Sequence, residues 1–190
     1  MTISEFIENH KLDSRYEELI FFGGSFNPWH SGHTSCLKLM PTDKLIIVMP
    51  DHNPFKNVTS QENRFSSLKD LEKVLEIRPE NTYLYGGFIK ENIHNPTHNW
   101  LSQVKFQFPH NKISLLMGFD SFMSLDKWIE AENIIQSLDC LYVVSRLDNI
   151  AAREAQEKVM KEIAPRLKMS FLGHHDYEHL SSTQIRKKES

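Results

Sequence analysis

Four consecutive apolar residues, Leu19-Ile20-Phe21-Phe22, run straight into Gly23-Gly24-Ser25. So short a run with no polar residue in it predicts a buried strand. The glycines that follow predict a turn able to bring backbone N–H groups close to a ligand. Pro28, Trp29 and His30 then cross the top of the strand, and Gly32-His33 leads into Leu37, Leu39 and Met40, spaced as the buried face of a helix. The order is therefore strand, glycine turn, histidine pair, helix N-terminus. A helix N-terminus presents unpaired N–H donors at the positive end of the helix dipole, a combination that favours an anion. His30 and His33 stand where they would meet that anion, and the chemistry predicted is phosphate handling.

The same alternation continues along the chain. Lys44–Met49, Thr82–Tyr85, Lys112–Met117, Cys140–Val144 and Met169–Leu172 read as further strands, with Thr82–Tyr85 the weakest. Between them, Ser60–Ile77 carries an apolar stripe through Phe65, Leu68, Leu71, Val74 and Leu75, and Thr97 precedes Trp100, Leu101, Val104 and Phe106 as a candidate helix cap. Ala151–Ile163 reads as another helix. Strands alternating with helices predict an α/β fold: an open parallel sheet of five or six strands with helices on both faces. In such sheets ligands bind at the carboxyl ends of the strands. The proline-bounded loop Pro50–Lys56 and the segment Gly118-Phe119-Asp120 then fall beside the glycine turn.

Composition closes off several function classes. The formal net charge of −3 gives no global basic field for nucleic acid. No apolar run approaches membrane-spanning length, and no cationic N-terminus precedes an apolar segment, so neither a membrane nor an export signal is expected. The two cysteines, Cys36 and Cys140, lie in apolar surroundings and read as buried free thiols of a reducing compartment, which makes the cytoplasm the expected location. His174-His175-Asp176 invites a metal reading. Adjacent histidines do not present the spacing of a zinc motif, so a solvated loop is expected there and no protein metal cage.

Each candidate residue has a plainer reading. Thr97 and Asp120 serve equally well as helix caps, Trp128 as a core aromatic, and Lys56 as a solvated loop lysine. Taken on spacing alone, His30 and His33 would be a pair of histidines capping a helix.

The motifs taken together change that balance. Gly23-Gly24-Ser25-Phe26-Asn27-Pro28-Trp29-His30-Ser31-Gly32-His33 resembles the glycine-rich HxGH signature of the nucleotidylyltransferase superfamily. Leu180-Ser181-Ser182-Thr183-Gln184-Ile185-Arg186, near the other end of the chain, resembles that superfamily's second signature, ISSTxIR. Between them, Gly118-x-Asp120-x4-Leu125-x2-Trp128 resembles a pattern of the nicotinate (nicotinamide) mononucleotide adenylyltransferase family. Thr97-His98-Asn99-Trp100-Leu101 resembles that family's TxxTL with tryptophan in place of the second threonine, and Asn53-Pro54-Phe55-Lys56 its PPHK stretch.

The resemblance implies a Rossmann-like strand order, with the site at the switch point between the first and fourth strands. Ile3, Phe6 and Ile7, then Tyr16 and Leu19, predict a short amphipathic helix with a break near Asp13-Ser14, and the resemblance makes residues 1–18 an extension ahead of a nucleotidylyltransferase domain over 19–190. The implied reaction is transfer of the adenylyl group of ATP to nicotinate mononucleotide, giving deamido-NAD and pyrophosphate. His30, His33 and Arg186 would be the catalytic groups. Gly24, Ser25, Phe26, Gly118, Asp120, Ser182 and Thr183 would join His33 and Arg186 on ATP, with Asp120 at a ribose. Lys56, Thr97 and Trp128 would hold the mononucleotide. Mg2+ would be bound mainly by substrate phosphates. Nicotinamide mononucleotide or phosphopantetheine as acceptor, cytidylyl transfer, and a non-catalytic ATP-sensing protein are the alternatives. The oligomeric state is not legible.

Overall fold

A computed structural model of the protein describes residues 1–26, 28–51, 71–90, 97–145 and 149–180. Its strands are β1 (Glu18–Gly24), β2 (Ile46–Pro50), β3 (Thr82–Leu84), β4 (Lys112–Gly118), β5 (Cys140–Val144) and β6 (Lys168–Phe171). They form one sheet in the order β3-β2-β1-β4-β5-β6, and every neighbouring pair is parallel. Ile20 lies opposite Ile46, Phe21 opposite Leu115, and Leu115 opposite Leu141. The order reverses at β1, which has β2 on one side and β4 on the other. Residues leaving the carboxyl ends of β1 and β4 therefore diverge and leave a crevice between them.

Alternate residues of the strands feed two separate cores, as the two-residue repeat of a strand requires. One face carries Leu19, Phe21, Ile47, Met49, Ile113, Leu115, Met117, Leu141 and Val143. It is covered by α1 (Ile3–Asn9), α5 (Thr97–Gln107), α7 (Ala131–Ser137) and α8 (Ile150–Ile163), which contribute Ile7, Leu101, Val104, Ile135 and Met160. The other face carries Ile20, Phe22, Ile46, Val48, Leu116, Tyr142 and Val144, packed on Cys36 and Leu37 of α3 (Ser31–Leu39) and on Leu71. Each fully buried Leu, Ile, Val or Phe is worth about 1.5–3 kcal/mol relative to exposure, which is why strand identity follows the apolar runs so closely.

The expected elements appear with small shifts. The first helix of the chain is α1 followed by one turn, α2 (Leu12–Arg15). Both lie on the first face, with Ile3, Phe6, Ile7 and Leu12 in its core. Tyr85 donates its hydroxyl hydrogen to the Met1 carbonyl (3.0 Å), and Asn111 donates to the carbonyls of Asp13 and Tyr16 (2.9 and 2.8 Å), tying this segment down. Short helices α4 (Gly87–Lys90) and α6 (Phe119–Phe122) complete the set used below. Of the helix expected over Ser60–Ile77, the part from Leu71 is described and tightens into a 3-10 turn at Lys73–Ile77. The remainder lies outside the described residues. Of the apolar set expected on the helix after Thr97, Phe106 is the member that the structure leaves exposed. No helix among the described residues is long and apolar enough to cross a membrane.

The amino end of the sheet is closed by charge. Glu18, 9% exposed, accepts from Lys44 Nζ (2.7 Å), Ser114 Oγ (2.6 Å) and Tyr142 OH (3.1 Å). A buried carboxylate survives only with such partners. Burial, and after it the Glu18 charge, pushes the Cys140 thiol up to about 11 and raises the Tyr142 phenol as well. Cys140 and Cys36 are both buried free thiols, as expected.

Candidate active site

At the carboxyl end the sheet opens into a cavity of about 420 Å³. Its walls come from the ends of β1, β2, β4 and β5, the start of α3, the start of α5 and the segment after β6. Gly24, Ser25, Phe26, His30, His33, Gly118, Asp120, Thr97 and Trp128 all line it. Nine of the residues singled out in the sequence are thus brought to one place. The other four, Lys56, Ser182, Thr183 and Arg186, lie outside the described residues.

Local chemistry explains how the β1–α3 connection takes its shape. Phe26 has a φ of +42°, a left-handed conformation costing a non-glycine residue roughly 1–2 kcal/mol. Packing holds it there: the ring is 3% exposed and sits 5.0 Å, centroid to centroid, from each of Phe22, Trp29 and His33. That ring lies over Gly24, where a Cβ would come within 3.0 Å of it. The glycine is needed for close approach. Asp51 closes the turn from β2, donating its N–H to the Gly24 carbonyl (3.0 Å).

The histidine pair does cap the helix, and in doing so fixes its own chemistry. The Gly32 N–H donates to His30 Nδ1 (3.1 Å), and the His30 N–H donates to His33 Nδ1 (3.3 Å). A nitrogen that accepts from a backbone N–H carries no proton, so each neutral ring holds its proton on Nε2. The capping that the sequence offered as the plainer reading is present, with Nδ1 the acceptor of each ring and Nε2 its N–H. The two rings stack with centroids 3.8 Å apart. Gly32 is required by this arrangement, because a Cβ there would lie 2.9 Å from His30 Cε1. No acidic residue occupies the first turn of α3.

Gly118 is the N-cap of α6, which places Asp120 in the first turn of that helix at the cavity wall. Trp128 follows a 3-10 turn at Leu125–Lys127 and packs partly buried against the first core. Gln156 of α8, itself buried, donates from Nε2 to the Phe122 carbonyl (3.1 Å) and to Asp126 Oδ1 (2.9 Å), holding this segment in place. Thr97 is the first residue of α5 rather than the residue before it. Trp100, one turn on, also lines the cavity, 4% exposed and 4.8 Å from Phe21.

Several wall residues were not singled out beforehand. Asp51 and Ser145 follow from the carboxyl ends of β2 and β5, where the strand-end rule would have pointed to them. The loop from Gly173 to Glu178, with His174, His175 and Asp176, is the one the sequence predicts to be solvated. His174 and Asp176 are exposed, whereas His175, Tyr177 and Leu180 line the cavity, after a left-handed backbone at Gly173 (φ +84°). No cluster of three metal-ligating side chains occurs among the described residues.

A cytidylyltransferase-like family model matches residues 21–188. A probable nicotinate-nucleotide adenylyltransferase of Christiangramia forsetii is 33% identical over 176 residues, spanning 87% of this chain and 82% of the relative. A probable enzyme of the same name from Helicobacter pylori is 29% identical, over 70% of this chain and 77% of its own. The structure of the Plasmodium falciparum nicotinic acid mononucleotide adenylyltransferase complexed with NaAD superposes with a TM-score of 0.68 at 18% identity, covering 90% of this chain and 83% of that one. At that identity the likeness concerns the fold, and it agrees with the Rossmann-like parallel sheet found here. By sequence over most of its length, the chain belongs to the cytidylyltransferase-like family and, within it, to the nicotinate-nucleotide adenylyltransferases.

Proposed function

We propose that the protein transfers the adenylyl group of ATP to the 5′-phosphate of nicotinate mononucleotide, releasing pyrophosphate and forming deamido-NAD. One observation carries this reading. A single cavity is lined both by a helix N-terminus that has no acidic residue in its first turn and is capped by two Nε2-protonated imidazoles, and by Thr97, Trp100 and Trp128, a wall suited to a flat pyridine ring.

A phosphate oxygen of the mononucleotide attacks the α-phosphorus of ATP. The bond from that phosphorus to the bridging oxygen breaks, and its electron pair leaves with pyrophosphate. The nucleophile is already an anion at neutral pH, so no strong base is needed. Catalysis is then positioning together with neutralisation of charge on the α-phosphate and the leaving group. We assign the Nε2–H groups of His30 and His33 to the α- and β-phosphates. Ser25, Ser182, Thr183 and the guanidinium fork of Arg186 go to the polyphosphate, and Asp120 to a ribose. Gly24, Phe26 and Gly118 shape the ATP side, while Lys56, Thr97 and Trp128 are assigned to the mononucleotide. Magnesium enters as part of the ATP substrate. A hard cation takes oxygen ligands, and imidazoles that carry their proton on Nε2 and cap a helix with Nδ1 are donors rather than ligands. Phosphate oxygens and water therefore supply its coordination. Cytoplasmic residence belongs to the same proposal and is supported by the free thiols of Cys36 and Cys140.

The test is a panel of acceptors with ATP and magnesium, read by pyrophosphate release. Nicotinate mononucleotide should exceed nicotinamide mononucleotide in kcat/KM by about tenfold to a hundredfold, the worth of one charge-assisted contact to the pyridine carboxylate. Equal or reversed efficiency removes the acid preference. Release with phosphopantetheine alone would move the protein to a different acceptor class, and ATP binding without release would make it a sensor.

A further inference from the structure

We propose that His175 is a third imidazole donor to the triphosphate of ATP, supplied by the segment after β6. The proposal rests on the nucleotidyl-transfer reading of the cavity and adds a substrate contact to it. His175 is partly buried and lines the same cavity as His30 and His33. The Tyr177 N–H donates to His175 Nδ1 (3.1 Å), so the neutral ring carries its proton on Nε2. This is the arrangement already seen in the two helix-capping histidines: a backbone N–H occupies Nδ1 and makes Nε2 the donor.

The segment is built to hold that ring against the phosphate end of the cavity. The Gly173 carbonyl accepts from the Ser145 N–H (3.0 Å), and the Leu180 N–H donates to the Tyr177 carbonyl (3.0 Å). Glu178, 9% exposed, accepts from the His175 N–H (3.3 Å) and is paired through the same oxygen with His174 Nδ1 (2.5 Å). The Tyr177 carbonyl lies 3.5 Å from where a Cβ on Gly32 would stand, and His30 Nδ1 lies 3.0 Å from that point. The turn bearing His175 therefore packs directly on the turn bearing His30. Three neutral N–H donors around one polyanion add positive potential without burying a net charge in the unliganded protein.

Three substitutions separate a substrate contact from a turn-forming role. His175→Asn keeps an acceptor where Nδ1 lies and removes the Nε2 donor. His175→Gln places an amide donor near Nε2. His175→Ala removes both. ATP affinity is measured by calorimetry without acceptor, alongside the thermal midpoint and wild-type pyrophosphate release. The expected result is a loss of ATP affinity of about ten- to hundredfold in His175→Asn and His175→Ala, the size of one hydrogen bond to a charged group. His175→Gln should recover part of it. Wild-type affinity in His175→Asn would show that the ring only forms the turn and would overturn the proposal, as would His175→Gln no better than His175→Ala. Failure of the wild type to release pyrophosphate with any acceptor would count against the parent reading and leave the ATP-binding comparison intact.

Discussion

Helices α1 and α3 begin with the same pair of reciprocal hydrogen bonds, made with different chemistry. At α1, Thr2 Oγ1 accepts from the Glu5 N–H (3.2 Å) and Glu5 Oε2 accepts from the Thr2 N–H (2.7 Å). At α3, two imidazole Nδ1 atoms take the places of hydroxyl and carboxylate. Both arrangements satisfy N–H groups that would otherwise be orphaned. They differ in what remains. Glu5 brings a negative charge to the positive end of α1, so that end is neutralised within the protein. The histidine pair brings no charge, and each ring keeps a second nitrogen that donates. A cap made of oxygen completes a helix; a cap made of imidazole completes it and keeps an N–H on Nε2.

The largest expected effect comes from separating the two ends of one ring. His30→Asn keeps an acceptor for the Gly32 N–H and loses the Nε2–H. Turnover should fall about 10²–10³-fold, the usual loss for a donor aimed at transition-state charge. ATP binding should weaken far less, and stability should stay within about 1 kcal/mol of wild type, the scale of a whole cap. Steady-state kinetics and a urea melt check this together. Unchanged turnover in a folded variant would take His30 out of the mechanism.

Thr2→Ala is the matching change at α1 and should have the smaller consequence. It removes only the oxygen cap, so stability should drop by about 1 kcal/mol, a few degrees in melting temperature, with kcat and KM unchanged. A fall in turnover would mean that α1 is coupled to the site through the first core, and the contrast between the two caps would no longer be one of structure against function.

The strands were legible because their signal is local. Leu19–Phe22 and Ile46–Met49 are buried on both faces, and a continuous apolar run records that directly. The HxGH element was legible as a motif, yet the roles of its atoms were not. That His30 uses Nδ1 for the helix depends on a ring position set by Gly32 and by packing around Phe26. His175 was read as part of a solvated loop for a related reason. Its place in the cavity depends on β6 lying beside β5 and on the bond from the Ser145 N–H to the Gly173 carbonyl, neither of which a local pattern encodes. Glu18 shows the same limit at the opposite end. A carboxylate at a strand start reads as exposed until Lys44, Ser114 and Tyr142, from three other parts of the chain, are seen to converge on it.

The central claim is that backbone N–H groups hold His30 and His33 with the proton on Nε2. Long-range proton–nitrogen correlation NMR of the protein labelled with 15N at histidine tests it most directly, with His30→Asn used to assign the signals. At neutral pH both rings should show an unprotonated Nδ1 and a protonated Nε2. A proton on Nδ1 of either ring, as the other neutral tautomer or as imidazolium, would contradict the account.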